Sequence, residues 1–179
     1  MKSFGSVFPV DARHIVLASQ RLFEAAVEAR TRTVFASSSS VYGDAASYPT
    51  PEDTTPRPLS PYGITKLATE HLAQAYRQEF GLDVVTLRYF TIYGPRQRPD
   101  MAYHRFIEAM LDREPITVFG DGEQTRSNTY IDDAVNGTIL ALERGAVGGI
   151  YNIGGGRTIS LNDAIGLIAG HVGVEPIVH

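Results

Sequence analysis

The sequence predicts an α/β fold built on a mainly parallel sheet, and three observations carry that reading. Short β-branched and aromatic runs, over 33–37 (TVFAS) and 83–90, alternate with long amphipathic stretches. The helix between those two runs starts at Ser60-Pro61 and continues to about Phe80. A crossover of that length joins parallel strands, whereas a tight turn would join antiparallel ones.

The elements follow in order. The first thirteen residues (MKSFGSVFPVDAR) lack periodicity and read as a loop. A helix is expected over 14–30, with Ile15, Leu22 and Ala26 on its buried face. Between Gly43 and Pro61 lie Pro49, Pro51, Pro56 and Pro58, which exclude regular helix and indicate a long surface loop. Loops of this length in compact domains usually border a functional site. Ser60 as N-cap and Pro61 at the first helical position start the next helix, in which Leu67, Leu72 and Ala75 are expected to face inward, and Gly81 ends it. Beyond Gly94-Pro95 the chain becomes more polar, with Arg96, Arg98 and Arg105 in or near a loop. A helix over 103–112, a strand over 116–119, the turn Gly120-Asp121-Gly122, a helix over 131–143 and a strand over 149–153 follow. Asp132 and Asp133 suit the start of their helix. Gly154 to Gly156 make a tight turn, and Ser160 caps a last helix with Asp163 at its third position, a capping-box arrangement.

Composition narrows the function classes. The chain has 179 residues, which suits one domain or one domain plus part of another. A net charge of −4 gives no general affinity for nucleic acid or anionic membrane. No apolar run approaches the ~20 residues of a membrane span, and no signal peptide is visible. With no cysteine, disulfide and thiolate chemistry are excluded, and a reducing cytoplasm is the expected location. The five histidines form no close pair, so no metal site is expected.

Tyr62 and Lys66 form the most informative pair. Four residues apart on a helix, they share one face. An ammonium held beside a phenol favours the phenolate, which suits a tyrosine to act as a general base. Tyr62 also falls in the first helical turn, where the helix dipole favours negative charge. With Ser38 from the preceding hydroxyl-rich run (Ser37 to Ser40), the set suits proton movement during a redox step. On residues alone, a serine-rich strand end with a surface Tyr and Lys is the favoured reading.

Five motifs in order, SSSSVYG, SPYGITK, RYFTIYGPRQRPDMA, GDGEQTR and YNIGGG, resemble the extended short-chain dehydrogenase/reductase family, and within it the nucleotide-sugar epimerases. The resemblance implies a partial Rossmann-like parallel sheet, its N-terminal strands missing, with a smaller C-terminal α/β substrate-binding region. The expected division is 1–92 for the cofactor domain and 93–179 for the substrate region, partly interleaved. It implies that Ser38 hydrogen-bonds the sugar hydroxyl being oxidised and that Tyr62 removes its proton while hydride passes to NAD. Lys66 then binds the nicotinamide ribose, with Ser37 and Tyr89 beside the cofactor. In the family's epimerases the 4-keto sugar rotates and hydride returns to its other face. A homodimer, formed through a helix pair that includes the Tyr62–Lys66 helix, is also implied.

The family's 4,6-dehydratases carry acidic residues where this chain has Ser39 and Ser40. A hydroxyl cannot replace a carboxylate as an acid or base near neutral pH, so epimerisation is favoured over dehydration. The RYFTIYGPRQRPDMA string is most similar to 4-epimerases acting on UDP-glucuronate. In that resemblance Ser39, Ser40, Thr91 and Arg98 surround the C6 carboxylate, Arg98 by a charge-assisted contact. For Arg98, a solvated loop arginine is an equal reading. UDP-glucose and UDP-N-acetylglucosamine are the alternative substrates. Arg126 matches the arginine that grips the diphosphate, a task suited to a planar fork donor. Relatives commonly follow it with Asp and an aromatic residue, where this chain has Ser127-Asn128.

The sequence contains no G-x-x-G-x-x-G or G-x-G-x-x-G turn for a pyrophosphate. Gly154-Gly155-Gly156, with Glu175 about 20 residues beyond, mimics part of that pattern but is read as structural. By resemblance, Met1 falls near the loop after the family's fourth strand. Two function classes follow: an NAD-dependent UDP-sugar 4-epimerase whose catalytic half is shown here, or a non-catalytic remnant that binds a nucleotide sugar or a partner chain.

Overall fold

The computed structural model describes residues 4–45, 47–155 and 158–179. It divides into two compact units, residues 1–90 with 134–153, and residues 91–133 with 154–179.

The first unit is built on a parallel sheet of strands β1 (Thr33–Ser38), β2 (Val84–Tyr89) and β5 (Ile150–Ile153), in the order β1-β2-β5. Side-chain alternation along β2 explains why helices are needed on both faces. Val84 packs with Phe35 and Leu82 against Phe23 and Ala73, which come from helices α2 (Ala18–Ala29) and α3 (Pro61–Phe80). Val85 and Leu87 point the other way, onto Ala141 of α5 (Ile131–Arg144). Val84, Val85 and Leu87 have no exposed surface. Each such burial is worth about 1.5–3 kcal/mol, so β2 is the spine of this unit.

Three expectations are corrected here. Residues 4–13 are helical, not a loop: α1 (Phe4–Asp11) runs through a π-wound turn, Ala12–Leu17, directly into α2. Pro9 inside α1 and the absence of an apolar stripe hid this helix from the periodicity. Leu22 is 67% exposed, and Phe23, one position on, is the buried residue of α2. On α3, Ala75 is exposed, and the face turned inward is Gly63, Thr65, Thr69, Glu70 and Ala73. Small and polar residues occupy that face because the helix lies close to the strand ends. A Cβ on Gly63 would stand 2.5 Å from the Ser40 carbonyl oxygen.

The second unit is built around strands β3 (Thr91–Tyr93), β4 (Thr125–Tyr130) and β6 (Thr158–Ser160), with β3 and β4 parallel and β4 and β6 antiparallel. Helices α4 (Ala102–Asp112) and α6 (Leu161–Val172) supply its core, Phe106 and Met110 packing with Ile165 and Ile116. The strand expected over 116–119 is absent. Ile116 makes only an isolated parallel bridge to Val178, its N–H reaching the Ile177 carbonyl at 2.7 Å. The Ser160 hydroxyl accepts from the Asp163 N–H at 3.0 Å and caps α6 as expected. Of the turn expected at 154–156, the third glycine lies outside the described residues.

Among the described residues, no helix is long and apolar enough to cross a membrane, and no group of three His, Cys, Asp or Glu is placed to hold a metal.

Candidate active site

Strand β1 ends at Ser38, whose backbone is still extended (φ −152°, ψ 148°) before the chain coils into a single 3₁₀ turn, Ser39–Val41. The Ser38 hydroxyl caps that turn, accepting from the Ser40 N–H at 3.2 Å and donating to the Ser40 hydroxyl at 3.1 Å. The Ser38 and Ser40 hydroxyls are thereby held together, with Ser39 between them in the chain, at the carboxyl end of a parallel strand, where open α/β sheets bind their ligands.

Helix α3 brings the second part of the constellation. The Ser60 hydroxyl accepts from the Gly63 N–H at 3.1 Å and fixes the first turn. Tyr62 in that turn is 40% exposed. One turn on, Lys66 is half-buried, and its Nζ donates to the Ala36 carbonyl at 2.7 Å. The same ammonium lies 5.6 Å from the centre of the Tyr62 ring and 5.3 Å from that of Phe35. Burial pushes the Lys66 pKa below its ordinary value. A positive charge beside the phenol is what a tyrosine base requires.

Beneath these residues lies a charged network that the sequence reading did not identify. Arg88 of β2 and Glu70 of α3 are each 3% exposed and form an ion pair at 2.7 Å, with a second Arg88 nitrogen 3.1 Å from the carboxylate. The Ser37 hydroxyl donates to the same carboxylate. Arg88 also donates to the Tyr42 hydroxyl at 2.8 Å and to the Glu52 carbonyl at 3.0 Å. Burial alone would lower the Arg88 pKa, but the bonds to Glu70 and Tyr42 outweigh it and leave the pKa raised. Tyr42 donates onward to Asn152 of β5 at 2.8 Å, and Asn152 holds the Thr50 carbonyl. The network therefore ties β1, β2, β5, α3 and the proline-rich loop together directly behind Ser38. A sequence signal was available: an arginine inside the apolar run VVTLRY, buried on both sides, needs a carboxylate partner.

Of the residues assigned by resemblance to the cofactor, Ser37 has its hydroxyl engaged by Glu70, and Tyr89 shares a hydrogen bond with Thr138. The remaining substrate candidates belong to the second unit. Thr91 opens β3 and Arg126 lies on β4; both line a cavity of about 540 Å3, together with Tyr103, Gln124, Asn128 and Ser160. Arg98 does not line it. Its exposed guanidinium makes a two-pronged contact with Asp100, at 3.0 and 2.9 Å. Where the chain departs from the motif after Arg126, Ser127 donates to the Gly155 carbonyl and Asn128 donates to the Tyr103 hydroxyl. Burial raises the Tyr103 pKa, Asn128 lowering it and Tyr93 adding to the rise.

Residues 9–154 match the model of the NAD dependent epimerase/dehydratase family. An uncharacterized UDP-glucose epimerase of Bacillus subtilis (strain 168), YtcB, is 46% identical over 99% of this chain and 56% of its own length. The crystal structure of UDP-glucuronic acid 4-epimerase from Bacillus cereus, in complex with UDP-glucuronic acid and NAD, matches with a TM-score of 0.86 at 46% identity, over 91% of this chain and 52% of that one. A UDP-N-acetylglucosamine 4-epimerase from Methanobrevibacter ruminantium M1 matches with a TM-score of 0.89 at 30% identity, over 93% of this chain and 56% of that one. The chain thus spans about half the length of the relatives it matches. Because the family match runs unbroken from α1 past the end of β5 and takes in the Ser38, Tyr62 and Lys66 constellation, the chain belongs to the NAD-dependent epimerase/dehydratase family.

Proposed function

We propose that this chain carries the catalytic residues and the nucleotide-sugar-binding unit of an NAD-dependent UDP-sugar 4-epimerase, with UDP-glucuronate as substrate. The observation that carries the reading is the Tyr62–Lys66 pair, an ammonium 5.6 Å from a phenol ring at the carboxyl end of a parallel strand. The residues present fit the nicotinamide ribose of NAD. Lys66 has three N–H donors, of which Ala36 takes one, and the other two suit a ribose diol. The Ser37 and Tyr89 hydroxyls are already engaged by Glu70 and Thr138, so Lys66 is the residue with donors free for the cofactor. When bound, NAD supplies the hydride acceptor and donor at the sugar carbon.

The chain's own groups move the proton. Tyr62 takes it from the sugar C4 hydroxyl and returns it after the keto sugar has rotated. The Ser38 hydroxyl turns from its 3.1 Å bond with Ser40 to the reacting oxygen, exchanging one neutral hydrogen bond for another. No carboxylate stands at positions 39 and 40 to drive elimination, so the cycle ends at the epimer. Arg126, a fork donor on the cavity wall, suits the diphosphate.

UDP-glucuronate is the substrate favoured by Ser39, Ser40, Thr91 and Arg98. The Arg98–Asp100 pair is largely exposed, with 75% and 68% of the two side chains accessible. Pairs of that kind contribute only about 0–1 kcal/mol, so a substrate carboxylate can replace Asp100. The test is a side-by-side incubation of the purified protein and NAD with UDP-glucuronate, UDP-glucose and UDP-N-acetylglucosamine, resolved by chromatography. The C4 epimer of UDP-glucuronate is expected to form fastest. Preference for a neutral sugar overturns the substrate assignment, and binding without conversion of any of the three overturns the epimerase reading.

A further inference from the structure

The cavity of the second unit contains a polar pair that the catalytic scheme does not use. Strand β4 alternates its side chains, and Arg126 and Asn128 both face the cavity, while Ser127 between them bonds the Gly155 carbonyl. The ladder sets Asn128 opposite Thr91 of β3. Asn128 donates one amide N–H to the hydroxyl of Tyr103, on the first turn of α4. Tyr103 is fixed from its other side by an edge-on contact with Tyr93, ring centres 5.8 Å apart. Among the described residues, the second Asn128 N–H, its Oδ1 and the Tyr103 hydroxyl proton find no partner, and all three atoms belong to residues lining the cavity.

We propose that Asn128 and Tyr103 form a neutral hydrogen-bonding pair that reads the glycosyl hydroxyls of the bound nucleotide sugar. The inference rests on the assignment of the cavity to a nucleotide sugar, with Arg126 on the diphosphate. Arg126 and Asn128 stand two positions apart on β4, about 6.8 Å along the strand, comparable to the reach from a diphosphate to the far hydroxyls of its sugar. The strand runs in that direction toward Thr91, the residue placed beside the sugar. The pair is uncharged and presents a donor next to an acceptor, which matches a hydroxyl and not a phosphate. Burial keeps the Tyr103 phenol protonated and its donor in place.

Calorimetric titration of the chain with UDP and with UDP-glucose tests this, comparing the unmodified protein with Tyr103→Phe and Asn128→Ala. Each variant removes neutral hydrogen bonds to the sugar, so affinity for UDP-glucose should fall about 3- to 10-fold. Affinity for UDP, which lacks the sugar, should change less than about 2-fold in both. Equal losses for UDP and UDP-glucose, or no loss for either, overturn the pair's role while leaving the cavity assignment standing. Failure of the unmodified chain to bind either ligand overturns the cavity assignment, and the pair's role with it. Circular dichroism confirms folding, and Tyr103→Phe, which removes one cavity-facing oxygen, decides the matter if Asn128→Ala unfolds.

Discussion

Replacing Arg88 with methionine probes the network on which the proposed catalytic residues rest. Arg88 is 3% exposed and donates to the Glu70 carboxylate at 2.7 and 3.1 Å, to Tyr42 at 2.8 Å and to the Glu52 carbonyl at 3.0 Å. Methionine fills much of the same volume but leaves Glu70 charged and buried, with only the Ser37 hydroxyl, among the described residues, donating to it. Breaking a buried pair from one side costs about 3–5 kcal/mol, a large share of the roughly 5–15 kcal/mol that holds a typical domain folded. Urea unfolding followed by circular dichroism should show that loss as a lower midpoint. The double variant Arg88→Met, Glu70→Met should recover much of it, because replacing both charges by apolar groups leaves none stranded. A cost below about 1 kcal/mol for Arg88→Met would place the pair with surface bridges. A double variant as weak as the sum of the singles would show no coupling, and either result would refute the reasoning.

Three further outcomes are expected. Gly63→Ala drives a methyl group to within 2.5 Å of the Ser40 carbonyl and should lower the urea midpoint by the equivalent of about 1–3 kcal/mol; an unchanged midpoint would mean that α3 is free to move away. Lys66 has a folded-state pKa below the ordinary lysine value of about 10.4. Its charge is therefore a cost that is fully present below the folded pKa and fades as pH rises to the unfolded one. Lys66→Met should then melt no lower than the unmodified chain at neutral pH, with any advantage shrinking above about pH 10; a lower melting point at pH 7 would refute this. Arg98→Ala should weaken UDP-glucuronate about 10-fold or more, as loss of a charged hydrogen bond does, and leave UDP-glucose unchanged. Calorimetry showing equal effects on both would remove Arg98 from the carboxylate.

What was legible in the sequence was what local chemistry specifies. Helix α3 has the expected limits because Ser60 and Pro61 start it and Gly81, in the left-handed region at φ 71°, ends it. The Tyr62–Lys66 contact follows from spacing alone. Strands β1 and β2 carried their own β-branched pattern, but β4 (TRSNTY) has no apolar alternation, since it presents Arg126 and Asn128 to a cavity and not to a core. Strands β3 and β6 are three residues each, too short to show a period. The Arg88–Glu70 pair needs two elements brought together by the fold, and so does Asn128–Tyr103. Neither partner's sequence neighbours point to the other.

The claim that Tyr62 is the base of a UDP-sugar epimerase is tested most directly by Tyr62→Phe. Purified chain and variant, each with NAD and UDP-glucuronate, are compared for C4 epimer formation, while UDP-glucuronate affinity is measured on the same samples. Loss of the phenol should abolish conversion and leave affinity within about 2-fold, since the 40%-exposed ring keeps its packing and loses only the proton-transferring oxygen. Conversion by the phenylalanine variant at an undiminished rate would contradict the account, as would an unmodified protein that binds the sugar nucleotide and never converts it.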